Sequence, residues 1–131
     1  MKTLIVEDDF TSRTILQSFL KDYGVSHIAV NGKEAVEAVR QALDAGEPYN
    51  LICLDIMMPE MDGQQALKQI RALEEAKGIL STYGAKVIMT TVLGDMKNIC
   101  DAYSSLCDAY LIKPIGQKKL LQELNKLGLI K

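Results

Sequence analysis

The feature that most constrains this fold is an alternation. Short apolar runs at Thr3–Val6, Val25–Val30, Leu51–Leu54, Ala85–Thr91 and Ala109–Ile112 read as strands. Between them, apolar residues recur at helical spacing. Ile15, Leu16, Phe19, Leu20 and Tyr23 form the first stripe, stopped by Gly24. Val36, Val39 and Leu43 form the second, ended by Gly46 and Pro48. Ala66, Leu67, Ile70 and Leu73 form the third. Asp95 is the expected N-cap of a fourth helix carrying Met96, Ile99, Cys100 and Tyr103. Leu120, Leu121, Leu124 and Leu127 form the fifth. The runs LIV, LICL and VIM lack polar alternation, so both of their faces need cover. Strands and helices alternating in this way predict a parallel sheet with helices on both faces and right-handed crossovers. In such sheets, functional groups collect beyond the carboxyl ends of the strands. A longer connection is expected at about residues 77–84, and the segment from Glu74 to Gly84 reads as a tolerated surface loop, with a partner-specific contact as the alternative.

At 131 residues the chain is the size of one domain, residues 1–131. No apolar run is long enough to cross a bilayer, and MKTLIVEDD does not make a signal peptide. The expectation is a cytoplasmic protein with no membrane contact. A net charge of −2 gives no global pull towards nucleic acid. From Lys113 onward there are five Lys against one Glu, without interleaved aromatics, so a solvated helix face is expected and not direct DNA binding. Cys53, Cys100 and Cys107 have no CxxC spacing and read as reduced, mostly buried thiols. His27 is the only histidine, which leaves no metal cluster or Ser-His-Asp triad to build on; it reads as structural.

The strand ends carry the chemistry. Strand one ends in Glu7-Asp8-Asp9, strand three in Asp55, strand four in Thr90-Thr91 and strand five in Lys113-Pro114. Two carboxylates about 5 Å apart repel by about 3 kcal/mol at an effective dielectric near 20. Oxygen-only ligands with room for water suit Mg²⁺ better than Zn²⁺. A cation, a hydroxyl and a lysine around one carboxylate suit phosphoryl transfer, with Asp55 as the group that attacks phosphorus and becomes an aspartyl phosphate. Pro59 ends the strand direction, and Gly63 lets the loop turn back to its helix, which is expected to leave Asp55 exposed on a rigid turn.

VEDD after strand one, LDIMMPEMDG after strand three, MTT at strand four and YLIKP at strand five occur together. With these motifs the chain resembles, over essentially its whole length, the receiver domain of two-component response regulators of the chemotaxis-regulator type. The resemblance implies a flavodoxin-like fold with strand order 2-1-3-4-5. It implies that Asp55 is the phosphoacceptor. Glu7 and Asp8 would hold Mg²⁺ (or Mn²⁺) together with Asp55 and the backbone carbonyl of Met57, while Asp9 starts the helix. Thr91 would bond the phosphoryl group and Lys113 would pair with it. Pro114 matches a proline that often follows a cis bond. Tyr110 matches the aromatic that swings inward as Thr91 moves, a two-state switch biased by one charge change.

The family's readout is the surface of helix four, strand five and helix five, which serves a homodimer or an output protein. Here it would carry Met96, Lys97, Tyr103, Lys118 and Lys119. The implied phosphodonor is a sensor histidine kinase or a histidine phosphotransfer protein, and the output protein is unknown. Such a chain is not an enzyme beyond its own phosphoryl transfer and dephosphorylation.

Three positions depart from the common pattern. Met57 and Leu93 flank the path of the hydrolytic water and are both apolar, so slow self-dephosphorylation is expected. Val92 is larger than the usual residue and would narrow access for small donors. Leu129-Ile130-Lys131 looks more like a natural end than a severed linker, so a stand-alone receiver is expected ahead of the alternative, a fragment of a longer regulator.

Other functions fit less well. An Asp-nucleophile phosphohydrolase wants a second Asp where Met57 stands. A pseudo-receiver typically lacks an acid, the Thr or the Lys. A nucleotide- or flavin-binding protein wants a glycine-rich loop where Glu7-Asp8-Asp9 stand.

Overall fold

The structure is a computed structural model that describes residues 1–58, 61–79, 83–92 and 106–131. It contains one five-stranded parallel sheet in the order β2-β1-β3-β4-β5. The strands are β1 (Thr3–Val6), β2 (Ser26–Ala29), β3 (Leu51–Asp55), β4 (Lys86–Thr91) and β5 (Ala109–Ile112). Three helices alternate with the first four strands: α1 (Phe10–Leu20), α2 (Gly32–Asp44) and α3 (Gly63–Ala76). A C-terminal helix spans Gln117–Lys126. The expected fourth helix, with Asp95, Met96, Lys97, Ile99, Cys100 and Tyr103, lies outside the described residues, as do Pro59 and Leu93.

Strand alternation builds two cores. Leu4, Val6, Ile52, Leu54, Val87 and Met89 face one side and pack with Ala35 and Val39 of α2 and Leu67 and Ile70 of α3. Ile5, Leu51, Cys53, Ile88 and Leu111 face the other side and pack with Leu16 and Leu20 of α1 and Leu120 and Leu124 of the C-terminal helix. Both faces of the apolar runs are thus covered, as their lack of polar alternation requires.

The helices begin at polar caps. Asp9 caps α1 by accepting from Ser12 N at 2.9 Å, and Asn31 caps α2 by accepting from Glu34 N at 2.8 Å. Asp62 and Gln65 close a reciprocal capping box on α3. Gly24, with φ +128°, follows the 3-10 turn that ends α1 and passes so close to Met1 that a Cβ would overlap the Met1 carbonyl.

Three details differ from the sequence reading. Asp55, expected to stand exposed on its turn, is instead buried at 3% exposure, because it is the last residue of β3 and is covered by Lys113 and the chain that folds back after the strand. Ile15 is 42% exposed, because α1 lies on the sheet through Leu16 and Leu20 and turns Ile15 outward. Glu74 belongs to no surface loop: it is a buried residue in the last turn of α3. Its carboxylate accepts from Arg71 at 2.7 Å and from Ala85 N at 2.8 Å. Arg71 also donates to Leu106 O, Ala85 O and Asp108 Oδ2. This network joins α3 to the beginnings of β4 and β5. His27 is structural, with Nδ1 2.7 Å from the Tyr49 hydroxyl. Cys53 and Cys107 are buried and form no disulfide with each other; burial pushes the Cys53 thiol up to about 12.

Candidate functional site

Strand register brings four of the expected groups together at the carboxyl edge of the sheet. Val6 is paired with Leu54 and Asp55 with Thr90, so Glu7 and Asp8 emerge beside Asp55. Ligand oxygens of Glu7, Asp8 and Asp55 all lie within 4.8 Å of one another. Glu7 and Asp55 are buried, whereas Asp8 is exposed. Lys113 reaches in from the end of β5, with Nζ 2.5 Å from Glu7 Oε1 and 3.2 Å from Asp55 Oδ2. The closer partner is Glu7. Sequence reasoning did not foresee that pair, because nothing local links residues 106 positions apart.

The turns around the cluster explain its geometry. Asp9 spends its carboxylate on α1, accepting from both the backbone N and the Oγ of Ser12. Those bonds hold its carboxyl below the usual range and aim it away from the cluster. The boundary between Asp8 and Asp9 drawn from the sequence is therefore where the geometry divides them. After β3 the chain folds back on itself. Ile56 N donates to Thr90 O, Gly63 N donates to Ile56 O, and Met57 N donates to Asp55 Oδ1 at 3.2 Å. A Cβ on Gly63 would lie 2.3 Å from the Asp55 carbonyl, so only glycine allows this closure. Each Asp55 oxygen thereby has one donor, Met57 N on Oδ1 and Lys113 on Oδ2.

The electrostatics follow from the count of charges. Three carboxylates face one ammonium, which leaves two negative charges in excess, the charge of one divalent cation. Burial, and then the hydrogen bond and charge of Asp55, raise the Glu7 carboxyl against the opposing pull of Lys113. For Lys113, burial alone would lower the ammonium. The bond to Glu7 and the two nearby carboxylates outweigh it, and the net shift is upward. The donor set is oxygen only, and exposed Asp8 leaves a side open to water. That fits Mg²⁺ and does not fit a thiolate- or imidazole-loving metal.

Thr91 and Tyr110 approach from the other face. Thr91 shares the side of Val87 and Met89, and Tyr110 packs against the core on that same side. Met89 and Tyr110 are register partners, so Thr91 and Tyr110 lie on adjacent strands of one face. Thr91 is buried, and among the described residues its hydroxyl makes one long contact, 3.4 Å to Val92 O. Its carbonyl accepts from Lys113 N at 2.7 Å, tying the β4 end to the lysine. The Lys113–Pro114 bond is cis. Around the rim Phe10, Met57 and Val92 are each more than half exposed, an apolar collar of which the sequence reading saw only Met57 and Val92.

Comparison with known proteins agrees with this architecture. Residues 3–125 match the response regulator receiver domain family. The chemotaxis protein CheY of Listeria monocytogenes is 35% identical over 128 residues, covering 96% of this chain and 97% of that protein. The osmosensing histidine protein kinase SLN1 of Saccharomyces cerevisiae is 32% identical over 122 residues; the match covers 92% of this chain but only 9% of the kinase. The crystal structure of the receiver domain of the histidine kinase CKI1 from Arabidopsis thaliana, complexed with Mg²⁺ and BeF₃⁻, superposes with a TM-score of 0.80 at 28% identity. It covers 97% of this chain and 89% of that one. With a family match along nearly its whole length and the parallel 2-1-3-4-5 sheet, the chain belongs to the response regulator receiver domain family of two-component signalling.

Proposed function

We propose that this receiver is a working phosphoacceptor, with Asp55 taking a phosphoryl group from a phosphohistidine donor. The observation that carries the reading is the cluster of Glu7, Asp8 and Asp55 with Lys113, a group that holds two uncompensated negative charges at the sheet edge. Glu7, Asp8 and Asp55, with the Met57 carbonyl, are the residues to hold Mg²⁺ or Mn²⁺. The cation, when bound, neutralises charge on the transferring oxygens. Met57 N–H and Lys113 fix the Asp55 carboxylate for attack. The new O–P bond forms as the donor P–N bond breaks, and the imidazole keeps the electron pair and takes up a proton. Lys113 then pairs with the phosphoryl group and Thr91 donates its hydroxyl. Tyr110, on the same sheet face as Thr91, turns into the space that Thr91 leaves.

A protein donor suits the rim better than a small one. Phe10, Met57 and Val92 offer apolar surface to a docking helix and crowd the approach of small donors such as acetyl phosphate. The donor is a sensor histidine kinase or a histidine phosphotransfer protein, and the readout is a homodimer or output protein on the β5 side of the molecule. Met57 excludes hydrolytic water, and with Leu93, outside the described residues, it makes the phosphoryl group long-lived. Among the described residues no helix is long and apolar enough to cross a membrane, and the receiver works in the cytoplasm.

Intact mass after incubation with a phosphorylated phosphotransfer protein tests this directly. Gain of one phosphoryl group is expected with Mg²⁺ and not with EDTA or with Asp55→Asn. Absence of the gain in Mg²⁺, together with no binding of beryllofluoride, would sink the reading. Rapid loss of the group in buffered Mg²⁺ would sink the slow-hydrolysis part alone.

A further inference from the structure

A second concave surface lies away from the phosphorylation site. It is an open groove of about 730 Å³ between Tyr23, in the 3-10 turn after α1, and the C-terminal helix with the residues that follow it. That volume is in the range of ligand clefts. Tyr23, Leu121 and Ile130 are half-buried and make an apolar floor. Lys118, Lys126 and Lys131 stand exposed around it, and no carboxylate lines it among the described residues. Glu123 pairs with Lys126 at 3.5 Å from outside the groove, whereas no described carboxylate pairs with Lys118 or Lys131. The chain as a whole is net −2, so this concentration of positive charge is local.

We propose that the groove docks an extended acidic peptide segment carrying one apolar anchor. The spacing sets the pattern. Lys118 and Lys126 are eight residues apart on one helical stripe, about 12 Å at 1.5 Å per residue. An extended peptide covers that distance in about four residues at roughly 3.3 Å each. Its side chains alternate, so residues one, three and five share a face. Two acids four positions apart meet Lys118 and Lys126, and an apolar residue between them passes exposed Gln122 at the midpoint and reaches sideways to Leu121. The motif is acid-x-apolar-x-acid. Charge complementarity and the apolar floor together favour such a segment over a polyanion without apolar groups, which would ignore Leu121 and Tyr23. The groove lies away from Asp55 and shares only Lys118 with the expected readout surface, so it is tested in the unphosphorylated chain.

The test is a titration of the ¹⁵N-labelled, unphosphorylated chain with the peptide Asp-Ser-Leu-Ser-Asp, blocked at both ends, followed by amide chemical shifts. Saturable shifts confined to Tyr23, Leu121, Asn125 and their neighbours are expected. Replacing the peptide's Leu by Ser should weaken binding at least fivefold, and Lys118→Glu with Lys126→Glu should abolish it. Lys118→Ala is a milder second variant that should weaken it several-fold. A thermal melt checks that each variant folds. Shifts spread over all exposed lysines, or equal affinity for the Leu and Ser peptides, would overturn the proposal. So would lysine-dependent binding of phosphatidylserine vesicles or duplex DNA in place of the peptide.

Discussion

Two groups of carboxylates sit at opposite edges of the same sheet, one at the amino ends of β4 and β5 and one at the carboxyl ends of β1 and β3. At the amino ends of β4 and β5, Glu74 and Asp108 surround Arg71 at 2.7 and 3.3 Å, with Lys86 4.0 Å from Asp108. The backbone completes the set: Ala85 N and Val87 N donate to the acids, while Leu106 O and Ala85 O accept from Arg71. Charges balance and donors are matched to acceptors. At the carboxyl ends, Glu7, Asp8 and Asp55 have one lysine between them. The first group has nothing left to bind, so it serves stability. The second is short of positive charge by two, so it has an affinity to spend. A buried acid is thus not in itself a sign of function; the unbalanced one is.

The largest effects should separate the two groups. Arg71→Ala leaves Glu74 buried without its cation and should cost about 3–5 kcal/mol of folding stability in urea denaturation. Mg²⁺ binding by the variant, measured while it is still folded, should be unchanged. A variant that keeps its urea midpoint would show that the network is ornamental. Gly84→Ala strikes the same network more gently. The new Cβ would lie 2.4 Å from Glu74 Oε1 and must push the carboxylate off Ala85 N. A loss of about 1–3 kcal/mol is expected, by the same measurement.

At the other end the sign reverses. Asp55→Asn removes one of three mutually repelling carboxylates, and should stabilise the metal-free protein by about 1 kcal/mol. Millimolar Mg²⁺ should raise the melting temperature of the parent protein more than that of the variant. If the substitution lowers the melting temperature in EDTA, the cluster is not strained and the comparison fails.

These pairs also mark what a sequence shows and what it hides. β1 and β5 have the limits expected from their apolar runs, and the Asp9 cap divides VEDD where the motif reading placed the division. Both patterns are local, carried by neighbours within a turn. Strand order came with the family resemblance, since periodicity says nothing about which strand lies beside which. The Arg71–Asp108 and Glu7–Lys113 pairs span 37 and 106 residues, so no spacing rule could reveal them. Glu74 looked like loop because a charged residue followed by a long connection usually is; its partner three residues back explains its burial. Ile15 fitted the α1 stripe by spacing, but a helix with few buried positions has a narrow contact face and leaves it outside.

The smallest expected effect is a slope and not a step, and it follows from Glu7. Its carboxyl is raised above 4.5 by burial, then by Asp55, so the folded protein holds that proton more tightly than the unfolded chain does. Stability from this group is full below pH 4.5 and is lost as pH rises through the higher folded value. In EDTA, the parent protein should therefore lose stability between pH 4.5 and neutrality relative to Glu7→Gln, which has no proton to lose. The Arg71 group supplies the control: Glu74→Gln should leave that slope in place while lowering stability at neutral pH, where the Arg71–Glu74 pair is charged. A slope that vanishes with Glu74→Gln and survives Glu7→Gln would place the uncompensated charge at the wrong end of the sheet.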